Sequence, residues 1–82
     1  MTRQEKLLKR FVSRPTDFTY NELIRLLRGF GYEELQGSGS RIVFRNKEIG
    51  HNIKMHKPHP DNVLKRYQID LIIRELKLKS LL

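Results

Sequence analysis

No cysteine occurs in the 82-residue chain. Its absence excludes disulfides, thiolate metal sites and a cysteine nucleophile, and suits a reducing compartment. No apolar run approaches the roughly 20 residues needed to cross a bilayer. The opening MTRQEKLLKRF is charged from its third residue and has no apolar core of a secretory signal. A cytoplasmic protein without a membrane segment is the expectation. Acidic residues are scarce too. Nine Asp and Glu stand against seventeen Lys and Arg, leaving a net charge of +8. That excess on so short a chain points to a polyanionic partner, nucleic acid first among them. There is no internal repeat, no low-complexity tract and no linker. Hydrophobic residues make up 38%, enough to drive folding. The length allows one modest core, so 1–82 reads as a single domain.

What is present is strongly patterned. Thr2-Arg3-Gln4-Glu5 and Thr19-Tyr20-Asn21-Glu22 are capping boxes, in which the Thr and Glu side chains satisfy each other's backbone N–H. Leu7, Leu8, Phe11 and Val12 follow the first box at helical spacing and predict a helix over 3–13, ended by Pro15. Phe18 and Leu23 flank the second box as a hydrophobic staple. Leu23, Ile24, Leu26, Leu27 and Phe30 then predict a helix over 20–30, with Gly31 as its left-handed cap. Beyond Gly31 the period shortens to two. Strands are expected at 32–36, 40–45 and 51–56, joined by the Gly37–Ser40 crook and a polar turn at 46–50. Pro58 and Pro60 make a stiff corner. Ile69, Ile72, Ile73 and Leu76 form one helical stripe and predict a last helix over 66–79.

The expected fold class is therefore α+β, in the order α-α-β-β-β-α. A three-stranded antiparallel sheet needs one face covered, and the second and last helices are the two most apolar. Strand parity turns Ile42, Phe44, Ile53, Met55 and His51 toward those helices. It leaves Arg41, Val43 and Arg45, with Lys54 and His56, on the open face. Tyr20, Tyr32 and Tyr67 read as half-core residues rather than as a base-stacking platform.

Three stretches, in this order over residues 18–79, resemble the HicA family of bacterial and archaeal toxin–antitoxin toxins. FTYNELIRLLRGFGYEEL is similar to that family's first core helix running into its first strand. GSGSRIVF is similar to its Gly-Ser-His-x-x-Phe strand entry, and IKMHKPHPDNVLKRYQIDLIIREL to its third strand, Pro-x-His corner and closing helix. The helix at 3–13 lies outside the family's minimal core. The resemblance implies a double-stranded-RNA-binding-domain-like fold and an endoribonuclease that cleaves mRNA. It also implies a HicB-type antitoxin that covers the active face. Where the family has its catalytic histidine, three residues before Phe44, this chain has Arg41. Gly39 and Ser40 match the motif, and His59 matches the corner histidine. The chain thus reads as a divergent variant of the family.

Metal-independent RNA cleavage needs a base for the 2′-hydroxyl, an acid for the leaving 5′-oxygen and positive charge for the phosphorane. Histidine suits the first two roles and arginine the third. The candidate catalytic residues are His59, His56 and Arg41. Arg41 is a phosphate stabiliser here, since a guanidinium keeps its proton at neutral pH and is a poor base. The candidate RNA contacts are Ser38, Gly39 and Ser40, whose small crook admits a backbone and turns N–H groups toward phosphate. Arg41, Arg45, Lys54, Lys57 and Lys65 extend that positive surface. No Gly-Lys-Ser/Thr follows the glycines, so the crook is not a P-loop. His51 and His56 lie on opposite strand faces with no carboxylate between them, so no metal is expected, and no cofactor. Two readings of function stand. One is an endoribonuclease toxin using His59 or His56 beside Arg41. The other is a catalytically inactive RNA-binding domain of the same fold.

Overall fold

Each Thr-x-x-Glu box starts a helix. The computed structural model describes residues 2–82. In it α1 covers Arg3–Val12 and α2 covers Tyr20–Gly29. At α1 the Glu5 N–H donates to Thr2 Oγ1 at 3.1 Å, and at α2 the Glu22 N–H donates to Thr19 Oγ1 at 3.2 Å. The Glu5 and Glu22 carboxylates accept in return from the N–H groups of Thr2 and Thr19. These pairs satisfy donors that a helix start leaves orphaned. Phe18 and Leu23, the two members of the staple, are both fully buried.

Gly31 ends α2 as the spacing predicts. Its φ is +97°, and the N–H groups of Gly31 and Tyr32 donate to the carbonyls of Arg28 at 3.0 Å and Leu27 at 2.9 Å. That is a complete Schellman cap, with buried Tyr32 and Leu27 as its apolar contact. Ser80 takes the same role after the last helix, at φ +58°, with its N–H on the Lys77 carbonyl and that of Leu81 on Leu76.

The strands are β1 (Glu33–Gln36), β2 (Arg41–Asn46) and β3 (His51–His56), paired antiparallel in the order β1-β2-β3. The last helix, α3, covers Arg66–Leu78. The fold is thus the expected α+β meander, with α2 and α3 contributing to one core on one side of the sheet. Ile42, Phe44, Ile53 and Met55 face that core, as do Ile69, Ile72, Ile73 and Leu76 of α3. Each such side chain contributes about 1.5–3 kcal/mol by leaving water. Asn46 ends β2 instead of opening the turn, because its side chain is occupied inside. Its Nδ2 donates to the Phe30 carbonyl at 3.0 Å, and its Oδ1 accepts from the N–H of Glu48 at 3.1 Å. One buried amide thereby joins the end of α2 to the β2–β3 turn.

Helix α1 belongs to the same core. Phe11 is fully buried, its ring centroid 4.9 Å from that of Phe18. Gln4 Nε2 donates to the Leu26 carbonyl at 3.0 Å, and Arg14 after the helix pairs with Asp70 of α3 at 2.7 Å.

The tyrosines do not behave as half-core residues. Tyr20 and Tyr32 are buried, whereas Tyr67 is 65% exposed. Tyr67 stands two residues before Ile69, on the opposite side of α3 from the buried stripe. The Tyr20 hydroxyl donates to the Glu34 carboxylate on the core side of β1. Burial, and then Glu34, push that phenol well above its ordinary range.

A candidate RNA-cleaving face at one end of the sheet

The β2–β3 turn fixes which residues meet. Asn46 pairs with His51, and counting outward puts Arg45 opposite Asn52, Val43 opposite Lys54, and Arg41 opposite His56. Directly opposed residues on one face have Cβ atoms about 4.5–5.5 Å apart. The guanidinium of Arg41 and the imidazole of His56 therefore share one patch. Both are exposed, and neither has an ion-pair partner among the described residues. With Val43 and Lys54, and with Ile42 and Met55, they line a depression of 390 Å³.

Main-chain bonds bring the neighbouring segments to this end of the sheet. In the crook, the Gly37 N–H donates to the Arg41 carbonyl at 2.9 Å and extends the first hairpin. The Ser40 carbonyl accepts from the Lys57 N–H at 2.8 Å, tying the crook to the segment after β3. Gly39 adopts φ +65° and has no atom within 4 Å of where a Cβ would stand. It is required by the backbone and not by space. Ser38, Gly39 and Ser40 are exposed, and none of their N–H groups donates within the described residues.

The corner after β3 is held from below. Pro58 is buried, His59 is exposed and Lys57 is half-buried. Downstream, the Leu64 N–H donates to the Phe18 carbonyl at 2.8 Å and the Asn62 carbonyl accepts from Tyr20 at 2.9 Å. Gln68 closes the arrangement. Its Nε2 donates to the His56 carbonyl at 3.0 Å, and its Oε1 accepts from the Lys65 N–H at 2.9 Å. Lysine has no acceptor, so only this half of a capping box forms at α3. The bond sets Lys65 and the start of α3 against the end of β3.

The sheet end thus gathers Arg41, His56, Lys57, the 38–40 crook and the Lys65 cap, and His59 is exposed on the corner that follows β3. Lys54 sits one pleat inward. Arg45 is different: its Nε and Nη2 donate to Glu33 Oε1 at 3.1 and 2.9 Å. Those bonds hold the Glu33 carboxyl below its ordinary value and give Arg45 an acidic partner on the open face. His51 points inward, as parity requires. Its Nδ1 is hydrogen-bonded to the Tyr32 hydroxyl at 2.6 Å, and its Nε2 lies 3.4 Å from Glu75. Sequence reasoning missed Gln68 and Asn46. Both are buried polar residues whose long-range partners leave no periodic trace.

A family model described as the HicA toxin of bacterial toxin–antitoxin systems matches residues 20–78, well over half of the chain. No curated protein and no solved structure matches it. The match starts at the first residue of α2 and ends at the last of α3, so it spans the sheet and both covering helices and leaves α1 outside. By that match, and by the meander with two helices on one face, the chain belongs to the HicA family of toxins.

Proposed function

We propose that the chain is an endoribonuclease toxin that binds mRNA across the open end of the sheet and cleaves it without a metal. The observation that carries this reading is the cross-strand pair Arg41–His56, which places a fixed cation beside an imidazole, a side chain able to take and give a proton. His56 takes the proton from a 2′-hydroxyl. The 2′-oxygen then attacks the adjacent phosphorus, and the bond from phosphorus to the 5′-oxygen breaks. Arg41 donates to the phosphorane oxygens as charge builds there. His59, three residues on across the buried Pro58, is the other proton-transfer group at this end and serves the leaving 5′-oxygen. The crook N–H groups of Ser38, Gly39 and Ser40, with Lys54, Lys57 and Lys65, hold flanking phosphates. A HicB-type antitoxin silences the toxin by covering this face, and the site of action is the cytoplasm.

The second reading, an inactive RNA-binding domain, is favoured by one fact: arginine stands at 41 where the family has histidine. Controlled expression separates the two. Growth arrest with fragmented mRNA, relieved by co-expressed antitoxin, supports the toxin. Harmless expression with RNA left intact supports the silent domain.

A further inference from the structure

The open sheet face and its corner carry part of the net charge of +8 through Arg41, Lys54, Lys57 and Lys65, while Arg45 on that face is bound to Glu33. A second basic surface lies in the helical layer, on the other side of the sheet. Helix α1 carries Arg3, Lys6 and Arg10 three and four residues apart, hence on one helix face. Across from them α2 presents Glu22 and Arg25. With Gln4 and Leu7 these residues line a groove of 540 Å³, larger than the 390 Å³ depression on the sheet.

The carboxylate in the groove is already occupied. Arg10 donates to Glu22 at 2.7 Å through one terminal nitrogen and to Asp17 at 2.7 Å through the other. Arg3, Lys6 and Arg25 are exposed and have no ion-pair partner among the described residues. Their direction is set by packing: buried Phe11 and the bond from Gln4 to Leu26 fix how α1 is rotated on α2. Three cations therefore converge on one concave surface with no counter-charge of their own.

We propose that this α1/α2 groove is a second phosphate-binding surface, which holds the RNA backbone flanking the segment on the sheet face. The proposal rests on the RNA reading above. Leu7 is the groove's one apolar side chain. A protein partner would need a buried apolar anchor there, whereas a phosphate backbone needs only cations. The groove reads no bases, so it adds affinity and salt dependence without sequence preference. Arg3, Lys6 and Arg10 lie before residue 20, where the family match begins, so the surface is an addition carried by α1.

Fluorescence anisotropy tests it, using labelled RNAs of about 5 and about 20 nucleotides over a salt series. The variant combines Arg3→Gln, Lys6→Gln and Arg25→Gln. A control combines Arg74→Gln, Lys77→Gln and Lys79→Gln, which remove the same charge from α3 and its C-cap. The groove variant is expected to bind the long RNA at least about tenfold more weakly, with a log K against log salt slope shallower by about 2. Its affinity for the short RNA stays that of the wild type, and the control changes neither. Equal losses in variant and control overturn the proposal, as does an unchanged slope. Wild-type binding of the short RNA with an unaffected long one sinks the groove alone. Wild type that binds neither RNA overturns the RNA reading with it. Poly-glutamate bound through the groove, with RNA binding unaltered, assigns the surface to an acidic protein instead.

Discussion

Arg41 of β2 and His56 of β3 are direct cross-strand partners on the uncovered face of the sheet. The His56 carbonyl, on the same residue, is held at 3.0 Å by Gln68 of α3. The helical layer therefore holds the main chain under this pair.

Gln68 is the first place to test that coupling. Replacing it by leucine keeps the volume but leaves the His56 carbonyl and the Lys65 N–H without partners. Losing two part-buried hydrogen bonds, at about 0.5–1.5 kcal/mol each, costs about 1–3 kcal/mol. Urea unfolding of Gln68→Leu should show a loss of that order. RNA cleavage should fall further than the unfolded fraction explains, because His56 is no longer held in register.

Two left-handed caps make opposite predictions. Gly31→Ala places a Cβ at φ +97°, 3.2 Å from Asn46 Nδ2, and should destabilise by about 1–2 kcal/mol. Ser80→Gly relieves a side chain at φ +58° and should stabilise by about 0.5–1 kcal/mol. Thermal melts of the two variants would then move in opposite directions. A shared direction contradicts the capping account.

Helix α1 lies outside the family match yet inside the core. Phe11→Ala removes a fully buried ring and should cost about 3–5 kcal/mol. A variant that melts like the wild type would show α1 to be a loose appendage.

Acid should weaken the fold in part through Glu22. Burial raises its pKa, but bonds from the Thr19 N–H and Arg10 outweigh that, and the carboxyl ends below its ordinary value of 4.5. The unfolded chain therefore binds this proton more readily than the folded one. The stability it confers is full above pH 4.5 and drains away as pH falls through the folded value. The melting temperature should drop below about pH 4.5, and Glu22→Gln should flatten that drop. Exposed Glu33, held low by Arg45, adds a smaller contribution of the same sign.

The local features of this fold were legible because they are local. Capping boxes, the Gly31 cap and the α3 stripe each lie within one or two helical turns. Strand parity also sorted Arg41, Lys54 and His56 from Ile53 and Met55. The Arg41–His56 pairing was not legible from parity alone, since it depends on Asn46 meeting His51 across the turn. The pairing of Arg45 with Glu33 was likewise not legible, since it follows from the register of the first hairpin. The bonds from Gln68 to His56 and from Lys57 to Ser40 close long loops and follow no period. The outward turn of Tyr67 is legible in the sequence as well, because the stripe through Ile69 and Ile72 puts it on the opposite side of α3.

The most direct test of the central claim is RNA cleavage by the purified protein and its Arg41→Ala, His56→Ala and His59→Ala variants. Wild type should cut RNA in the presence of a metal chelator, leaving a 5′-hydroxyl end. His56→Ala should lose at least about a hundredfold in rate, Arg41→Ala should lose a comparable factor through the phosphorane, and His59→Ala should lose less. Full activity in His56→Ala, or intact RNA with wild type, would contradict the account.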